Sequence, residues 1–150
     1  MHDVPYIQGS KMTPEIVSCL TRLTVEIRNI ISKQMPLGIQ VLACGNQQAL
    51  AIAKATDCQF IRVEGFVFSH IGDEGFIDAN AGTLLRYRKQ IDAENVLIFT
   101  DLKKKHSSHA ITQDVSLLET AQAAKFFLTD GIILTGNVFE KCAFLQQICF

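Results

Sequence analysis

Short apolar strand patterns alternate with helix patterns along this chain, and this alternation limits the possible folds more than any other feature. Hydrophobic periodicity predicts the order helix, strand, helix, strand, helix, strand, helix, strand. The predicted strands cover residues 37–43, 60–65, 96–100 and 131–135. Strands separated by helices are expected to pair in parallel, with right-handed helical crossovers between them. The sequence therefore predicts an α/β fold with about four parallel strands and flanking helices.

Capping residues mark where several of the helices begin. A hydroxyl, a proline and an acid at residues 13–15 predict the start of the first helix, which the periodicity extends to about residue 33. Asn46 is positioned to cap the second helix. Ser116 and Glu119 have the spacing of a capping box and predict the start of the fourth.

Loop lengths indicate the functional end of this sheet. The connections that leave strands 60–65 and 96–100 are long, whereas those from each helix back to the next strand are short. In parallel α/β proteins, ligands bind beyond the carboxyl ends of the strands. No GxGxxG or GKS/GKT pattern follows any strand, so the sequence favours part of a barrel over a Rossmann or P-loop domain.

Composition excludes several kinds of partner. With a formal net charge of −1, the 150-residue chain gives no reason to expect nucleic acid or an anionic membrane surface. Its apolar runs are far shorter than the roughly 20 residues of a membrane span. Five cysteines without a CxxC pair predict reduced thiols, and the amino terminus lacks a leader pattern. We therefore expect an intracellular protein, cytoplasmic or mitochondrial, that binds neither nucleic acid nor membrane.

Two opposite charges interrupt the apolar strand at residues 60–65. Arg62 and Glu64 lie two residues apart, so both are expected on one face of the strand. Buried charges need each other, further partners or a polar cavity. One interpretation is a structural ion pair that closes one end of the sheet, and the other is a ligand site. The two residues alone do not separate these interpretations.

A second polar group follows the strand at residues 96–100. Asp101, Lys105 and His106 supply a carboxylate, an ammonium and an imidazole, which serve in acid/base catalysis and in stabilising anionic intermediates. The alternative treats the lysine run 103–105 as a solvated loop. The spacing of His106 and His109 also allows a metal site with nearby carboxylates, but two loop histidines are weak support. We predict no metal and no cofactor.

The other polar residues near the strand ends have two interpretations each. The loop that carries His70, Asp73 and Glu74 is expected to be either a lid or a polar surface loop. Asn46 is expected mainly to cap its helix, with a ligand contact as its second role. Cys44 has no identifiable base beside it, so a catalytic thiol is not expected.

Four segments of the sequence form a recognisable set: LGIQVLACGN (37–46), FIRVEGFVFSHIGDEGFIDANAGTLLRYR (60–88), FTDLKKKHSSHA (99–110) and DGIILTG (130–136). Together they resemble the BtpA family. The resemblance implies a (β/α)8 TIM barrel of the ribulose-phosphate-binding type, of which this chain would hold strands three to six. It covers most of residues 1–136, so we predict a partial barrel domain there. Residues 137–150 depart from the family pattern and are predicted to form a divergent tail of a truncated product. The tail would cover a sheet edge, bind a partner, or be unrelated sequence from a shifted exon.

The resemblance also implies a site at the carboxyl ends of the strands. The expected catalytic residues are Glu64, Asp101, Lys105 and His106. The expected ligand-binding residues are Gln40, Asn46, Arg62, His70 and Asp73. The first functional hypothesis is an enzyme-like barrel that acts on a small molecule, phosphorylated or sugar-derived. The second is a non-catalytic assembly or stability factor, and the third is an inactive fragment that self-associates through its exposed strand edges.

Overall fold

The computed structural model describes residues 4–135 of the chain. The helices in this part are α1 (Pro14–Ile30), α2 (Asn46–Ala55), α3 (Ala81–Gln90) and α4 (Leu117–Phe126). The strands are β1 (Gly38–Ile39), β2 (Phe60–Val63), β3 (His70–Gly72), β4 (Gly75–Ile77), β5 (Leu97–Leu102), β6 (Ser107–Ser108) and β7 (Gly131–Leu134). None of the helices in the described part combines the length and the apolar composition that a membrane-spanning helix needs.

The main sheet has the order β1-β2-β5-β7, and each neighbouring pair is parallel. The predicted α/β fold with four parallel strands is therefore confirmed. These strands follow one another in space as they do along the chain, without the reversal of order that defines a doubly wound sheet. This arrangement is that of a segment of a (β/α) barrel wall.

The two faces of the main sheet differ in composition. Ile61, Val63 and Ile98 point to the face that packs against the helices, and all three are fully buried in one core. The opposite face carries the stacked rings of Phe60 and Phe99, whose centroids lie 5.2 Å apart. Further along the same face come Arg62 and Asp101, because side chains of one strand return to the same face every second residue.

The two long loops are joined into a second sheet. The loop after β2 folds into the hairpin β3–β4, and the loop after β5 contributes β6, which pairs antiparallel with β3. The sequence predicted these segments as irregular loops. Their strands are only two or three residues long, which is too short for a visible alternating pattern.

Several predicted boundaries were wrong for local reasons. Strand β1 has only two residues, and the chain turns soon after it, where the amide of Gly45 donates to the carbonyl of Val41. Helix α1 starts at Pro14 as predicted but ends at Ile30, and Thr13 makes no side-chain cap. The predicted capping box of Ser116 and Glu119 is confirmed, with hydrogen bonds of 3.1 and 2.8 Å. The boundary at residue 136 and the tail 137–150 lie outside the described residues.

Candidate functional site

Buried polar side chains gather at the carboxyl ends of β1, β2 and β5. Asn46, Glu64, His70 and Asp101 are all less than 9% exposed. Burial of so many polar groups is costly unless each one finds a partner. Their partners therefore define the site.

Arg62 and Asp101 are joined across neighbouring strands. The Arg62 Nε and one terminal nitrogen donate to the two carboxylate oxygens of Asp101, at 2.8 and 2.9 Å. These hydrogen bonds raise the pKa of Arg62. Burial raises the pKa of Asp101, and the hydrogen bonds from Arg62 oppose that rise. The pair is bidentate, which fixes the carboxylate in one orientation.

Glu64 is held by a different cation, Lys104. The Lys104 ammonium lies 3.1 Å from Glu64 Oε1, and both side chains are nearly buried. The other carboxylate oxygen accepts a hydrogen bond of 3.1 Å from the amide of Cys44. Arg62 and Glu64 were predicted to lie on one face of their strand. Each is paired with a different residue, Arg62 with Asp101 in β5 and Glu64 with Lys104 in the loop that follows β5.

The thiol of Cys44 also faces Glu64, with its sulfur 3.7 Å from Oε2. Burial raises the pKa of this thiol strongly, and the negative charge of Glu64 raises it further. A thiol that stays protonated at neutral pH is a poor nucleophile.

Asn46 links three elements at the site and does not cap its helix. Gly45 occupies the cap position of α2, and Asn46 is the first helical residue. Its amide nitrogen donates to the carbonyl of Glu64 at 2.7 Å and to Asn80 Oδ1 at 3.2 Å. The predicted cap was therefore wrong, because the buried end of β2 offers this side chain a carbonyl that needs a donor.

A narrow cleft, with a cavity volume of about 20 Å³, opens beside these groups. Its polar lining comes from the ends of β2 and β5, from β3, and from the segment after β6. The ionisable residues in this lining are His70, Asp101, Lys103, Lys104 and His109. The cleft thus places two imidazoles, two ammonium groups and one carboxylate around one small volume.

The two histidine rings of the cleft lie with their centroids 5.2 Å apart. Burial lowers the pKa of His70 to about 4, and the neighbouring His109 and Lys104 lower it as well. His70 is therefore neutral at physiological pH. His109 Nε2 lies 2.9 Å from the carbonyl of Lys104, which ties the end of β6 to the lysine run.

The backbone conformation just after β5 determines which lysine side chain reaches Glu64. Lys103 has a φ of 43°, a conformation that turns the chain sharply after β5. Lys104 then points to Glu64, whereas Lys105 is exposed. Strained backbone of this kind is concentrated at functional sites in proteins.

The arrangement suits proton transfer and charge stabilisation. A carboxylate, an ammonium group and a neutral imidazole share the cleft, and these are the usual groups of general acid/base chemistry. Within residues 4–135, no group of three or more histidine, cysteine, aspartate or glutamate side chains is placed to hold a metal ion.

The sequence profile of the BtpA family matches residues 1–144. The chain belongs to the BtpA family. The resemblance seen in the sequence is thereby confirmed, and the family match extends beyond the domain boundary predicted at residue 136. No solved structure matches the chain.

Curated relatives of this BtpA family member come from all three domains of life. A Caenorhabditis elegans protein named as uncharacterized and mitochondrial is 49% identical over 99% of this chain and 54% of its own length. An uncharacterized Archaeoglobus fulgidus protein is 34% identical over 97% of this chain and 56% of its own. The Photosystem I biogenesis protein BtpA of Synechocystis is 34% identical over 89% of this chain and 45% of its own length. The chain spans about half the length of these relatives.

The structure brings together some of the predicted site residues of this BtpA family chain and separates others. Glu64, Asp101, Arg62, His70 and Asn46 meet at the strand ends. Lys105 and His106 are exposed, and Asp73 is exposed at the tip of the β3–β4 hairpin. Gln40 is half-buried just after β1. The roles predicted for these four residues remain predictions.

Three residues of the site were missed by the sequence reasoning. Lys104 was read only as part of a charge run, Asn80 was not considered, and His109 was considered only as a metal ligand. Asn80 precedes α3 and accepts a hydrogen bond from Asn46, which lies 34 residues earlier in the chain.

Proposed function

We propose that this chain contributes the acid/base half of a small-molecule site in a BtpA family barrel, acting on a phosphorylated or sugar-derived molecule. The observation that carries the proposal is a set of two ion pairs with buried carboxylates, Arg62–Asp101 and Glu64–Lys104, beside one narrow cleft. Buried ion pairs are poor sources of stability, because the cost of desolvation often exceeds the gain from attraction. Their place at the carboxyl ends of parallel strands, where barrel enzymes bind substrates, supports a functional reason for them.

Each ion pair has a distinct part in this proposal. Asp101, oriented by Arg62, acts as the acid or base toward the substrate. Lys104 stabilises negative charge that develops on the substrate, while Glu64 holds the Lys104 ammonium group in position through their ion pair. Lys105 and His106 lie at the exposed rim, where they contact a substrate only if its free end extends out of the cleft.

The small second sheet supports a closed site. It consists of segments from the two loops that follow β2 and β5, and it bears His70 on its buried side. A sheet that ties two loops together holds the cleft walls at a fixed spacing, which favours a preformed site. The lid role predicted for the loop of His70, Asp73 and Glu74 stays a prediction.

A second candidate function is a non-catalytic role in protein assembly. The observation that favours it is the name of the Synechocystis relative, a photosystem I biogenesis protein. In this case the polar cluster would stabilise the strand ends, and the exposed surfaces would bind a partner protein. Localisation is proposed to be cytoplasmic or mitochondrial, and the name of the Caenorhabditis elegans relative supports the mitochondrion.

A third candidate is self-association of this chain. β1 and β7 are the outer strands of the main sheet in the described part of the chain. Unpaired strand edges recruit further strands, so copies of this chain are expected to associate when these edges are free. Size-exclusion chromatography tests this: a monodisperse monomer would count against it.

The first two functions are separated by ligand-induced stabilisation. The chain is screened by thermal unfolding against sugars and sugar phosphates, together with the variants Asp101→Asn and Asp57→Asn, the second at an exposed position before β2. A site at the cleft predicts a ligand that raises Tm for the wild type and for Asp57→Asn but not for Asp101→Asn. A ligand that stabilises all three equally binds elsewhere. If no sugar stabilises the wild type, while a partner protein binds it and Asp101→Asn equally well, the assembly role is favoured.

A further inference from the structure

An apolar groove runs along the surface between α3 and the carboxyl end of α4. It consists of two adjoining compartments of about 430 and 260 Å³, and both are lined in part by Gly82 and Phe127. The large apolar side chains that line the groove are Phe66, Phe68, Leu85, Phe126, Phe127 and Leu128. The groove is therefore much larger than the polar cleft and differs from it in chemistry.

No further barrel helix belongs in this groove. Helix α3 follows β2 and α4 follows β5, and these two strands are neighbours in the main sheet. In a (β/α) barrel each strand is followed by one helix of the outer ring, so the helices that follow neighbouring strands are themselves neighbours. The other strands and helices of a barrel therefore leave the groove open.

The end of α4 exposes three successive large apolar side chains. Phe126 is 81% and Leu128 is 68% exposed, and the rings of Phe126 and Phe127 meet edge to face with their centroids 5.7 Å apart. Leu128 has a φ of 64°, a left-handed conformation that glycine adopts far more easily than a branched side chain. A glycine at this position would end the helix without strain and would expose less apolar surface. Exposed apolar patches of this kind mark interaction sites.

The charged residues that line the groove are both cations, Arg86 and Lys89 on the exposed side of α3. The Arg86 guanidinium donates to the carbonyl of Gly82 in its own helix. Neither cation forms an ion pair within residues 4–135, and the lining contains no aspartate or glutamate. A partner with carboxylates beside an apolar surface is therefore electrostatically complementary to the groove.

The shape of the groove suits a helix better than a small ligand. It follows one face of α3 from Gly82 to Lys89, which is about 10 Å at 1.5 Å per residue. Small-molecule sites enclose most of their ligand, whereas this groove is open along its length. We propose that the groove binds the apolar face of an amphipathic helix from a partner protein, a helix with aspartate or glutamate beside that face. The ion pairs at the strand ends take no part in this contact, so the inference is independent of the small-molecule proposal.

Two synthetic peptides of about 14 residues, or four helical turns, test the proposal. Both are held helical by a side-chain staple and share one leucine face, which is flanked by glutamates in the first and by lysines in the second. Fluorescence anisotropy measures their binding to the full 150-residue chain. The glutamate peptide is expected to bind saturably and at least about tenfold more tightly than the lysine peptide. The double variant Arg86→Glu, Lys89→Glu is expected to reverse this order.

Gly82→Leu tests the groove without disturbing the fold. A Cβ at Gly82 meets only a terminal nitrogen of Arg86, at 3.0 Å, and this flexible side chain can move away. Leucine also favours a helix more than glycine does, so Tm should not fall. The added side chain fills the junction of the two compartments and is expected to weaken binding of the glutamate peptide at least about tenfold. The matched control Thr83→Leu adds a leucine at an exposed position of the same helix outside the groove lining and should bind like the wild type.

Three results would overturn the proposal. The first is equal binding of the two peptides by the wild type. The second is undiminished binding of the glutamate peptide by folded Gly82→Leu. The third is the absence of binding for both peptides, which is also the result expected if residues 137–150 or a second copy of the chain fills the groove.

Discussion

Arg62 on β2 and Asp101 on β5 are joined by two parallel hydrogen bonds of 2.8 and 2.9 Å at the carboxyl ends of their strands. The register pairs Arg62 with Phe99, so Asp101 lies two residues further along β5 on the same face. The Asp101 side chain is almost fully buried, whereas 35% of the Arg62 side chain is exposed. Their link fixes the acid that we assign to the site.

Asp101→Asn is expected to lower the free energy of unfolding by roughly 1 to 3 kcal/mol. Removing one partner of a fully buried ion pair costs about 3 to 5 kcal/mol, and the exposure of Arg62 reduces that figure because water solvates the freed cation. Urea unfolding measures the change. The matched control is Arg22→Ala, which removes the exposed Arg22–Glu26 bridge of 2.7 Å and should cost no more than about 0.5 kcal/mol. Equal losses in the two variants would contradict the assigned pairing.

Asn46→Asp is expected to destabilise the chain by roughly 2 to 4 kcal/mol. The substitution keeps the size of the side chain but replaces a buried amide donor with an oxygen that faces the carbonyl of Glu64 and the Oδ1 of Asn80. Two hydrogen bonds are lost and a charge is buried among acceptors. Asn29→Asp on the exposed surface of α1 is the control, with an expected change below about 1 kcal/mol. A result in which Asn46→Asp is as mild as Asn29→Asp would place Asn46 outside the polar network.

The stability of the chain is expected to fall between pH 6.5 and about 4 because of His70. In the unfolded chain this histidine takes up a proton near pH 6.5, whereas in the folded chain it does so only near pH 4. The unfolded state therefore binds more protons in this window, and the free energy of unfolding decreases as the pH is lowered, by roughly 3 kcal/mol at most. His70→Phe should show a shallower decrease over the same window. His106→Phe, at an exposed position, should keep the wild-type slope, and equal slopes for all three proteins would rule out a buried neutral His70.

The sequence predicted the architecture well because periodicity and caps are local signals. The α/β order, the Pro14 start and the Ser116–Glu119 capping box all depend on residues close together in the chain. The family resemblance predicted the barrel type and placed function at the strand ends. Glu64 and Asp101 could be selected because a charge at the end of an apolar strand is anomalous by itself.

The pairing within the site could not be predicted in the same way. Whether Lys104 or Lys105 reaches Glu64 depends on the left-handed turn at Lys103, and nothing in a run of three lysines shows which residue adopts it. The partner of Asn46 depends on the approach of Asn80, which lies 34 residues later in the chain, directly before α3. His70 is buried in the hairpin of β3 and β4, two strands too short to be recognised. Long-range packing decided each of these contacts.

A small-molecule site that uses Lys104 and not Lys105 is tested most directly by ligand retention in matched lysine variants. Wild type, Lys104→Met and Lys105→Met, each checked for folding by circular dichroism, are equilibrated with a metabolite extract and separated from unbound molecules. Mass spectrometry then identifies what each protein retains. We predict that wild type and Lys105→Met retain the same small molecule and that Lys104→Met retains at least about tenfold less, since a charged hydrogen bond is worth about 1.5 to 3 kcal/mol. Undiminished retention by Lys104→Met, or loss of the molecule in Lys105→Met, would contradict the site described above.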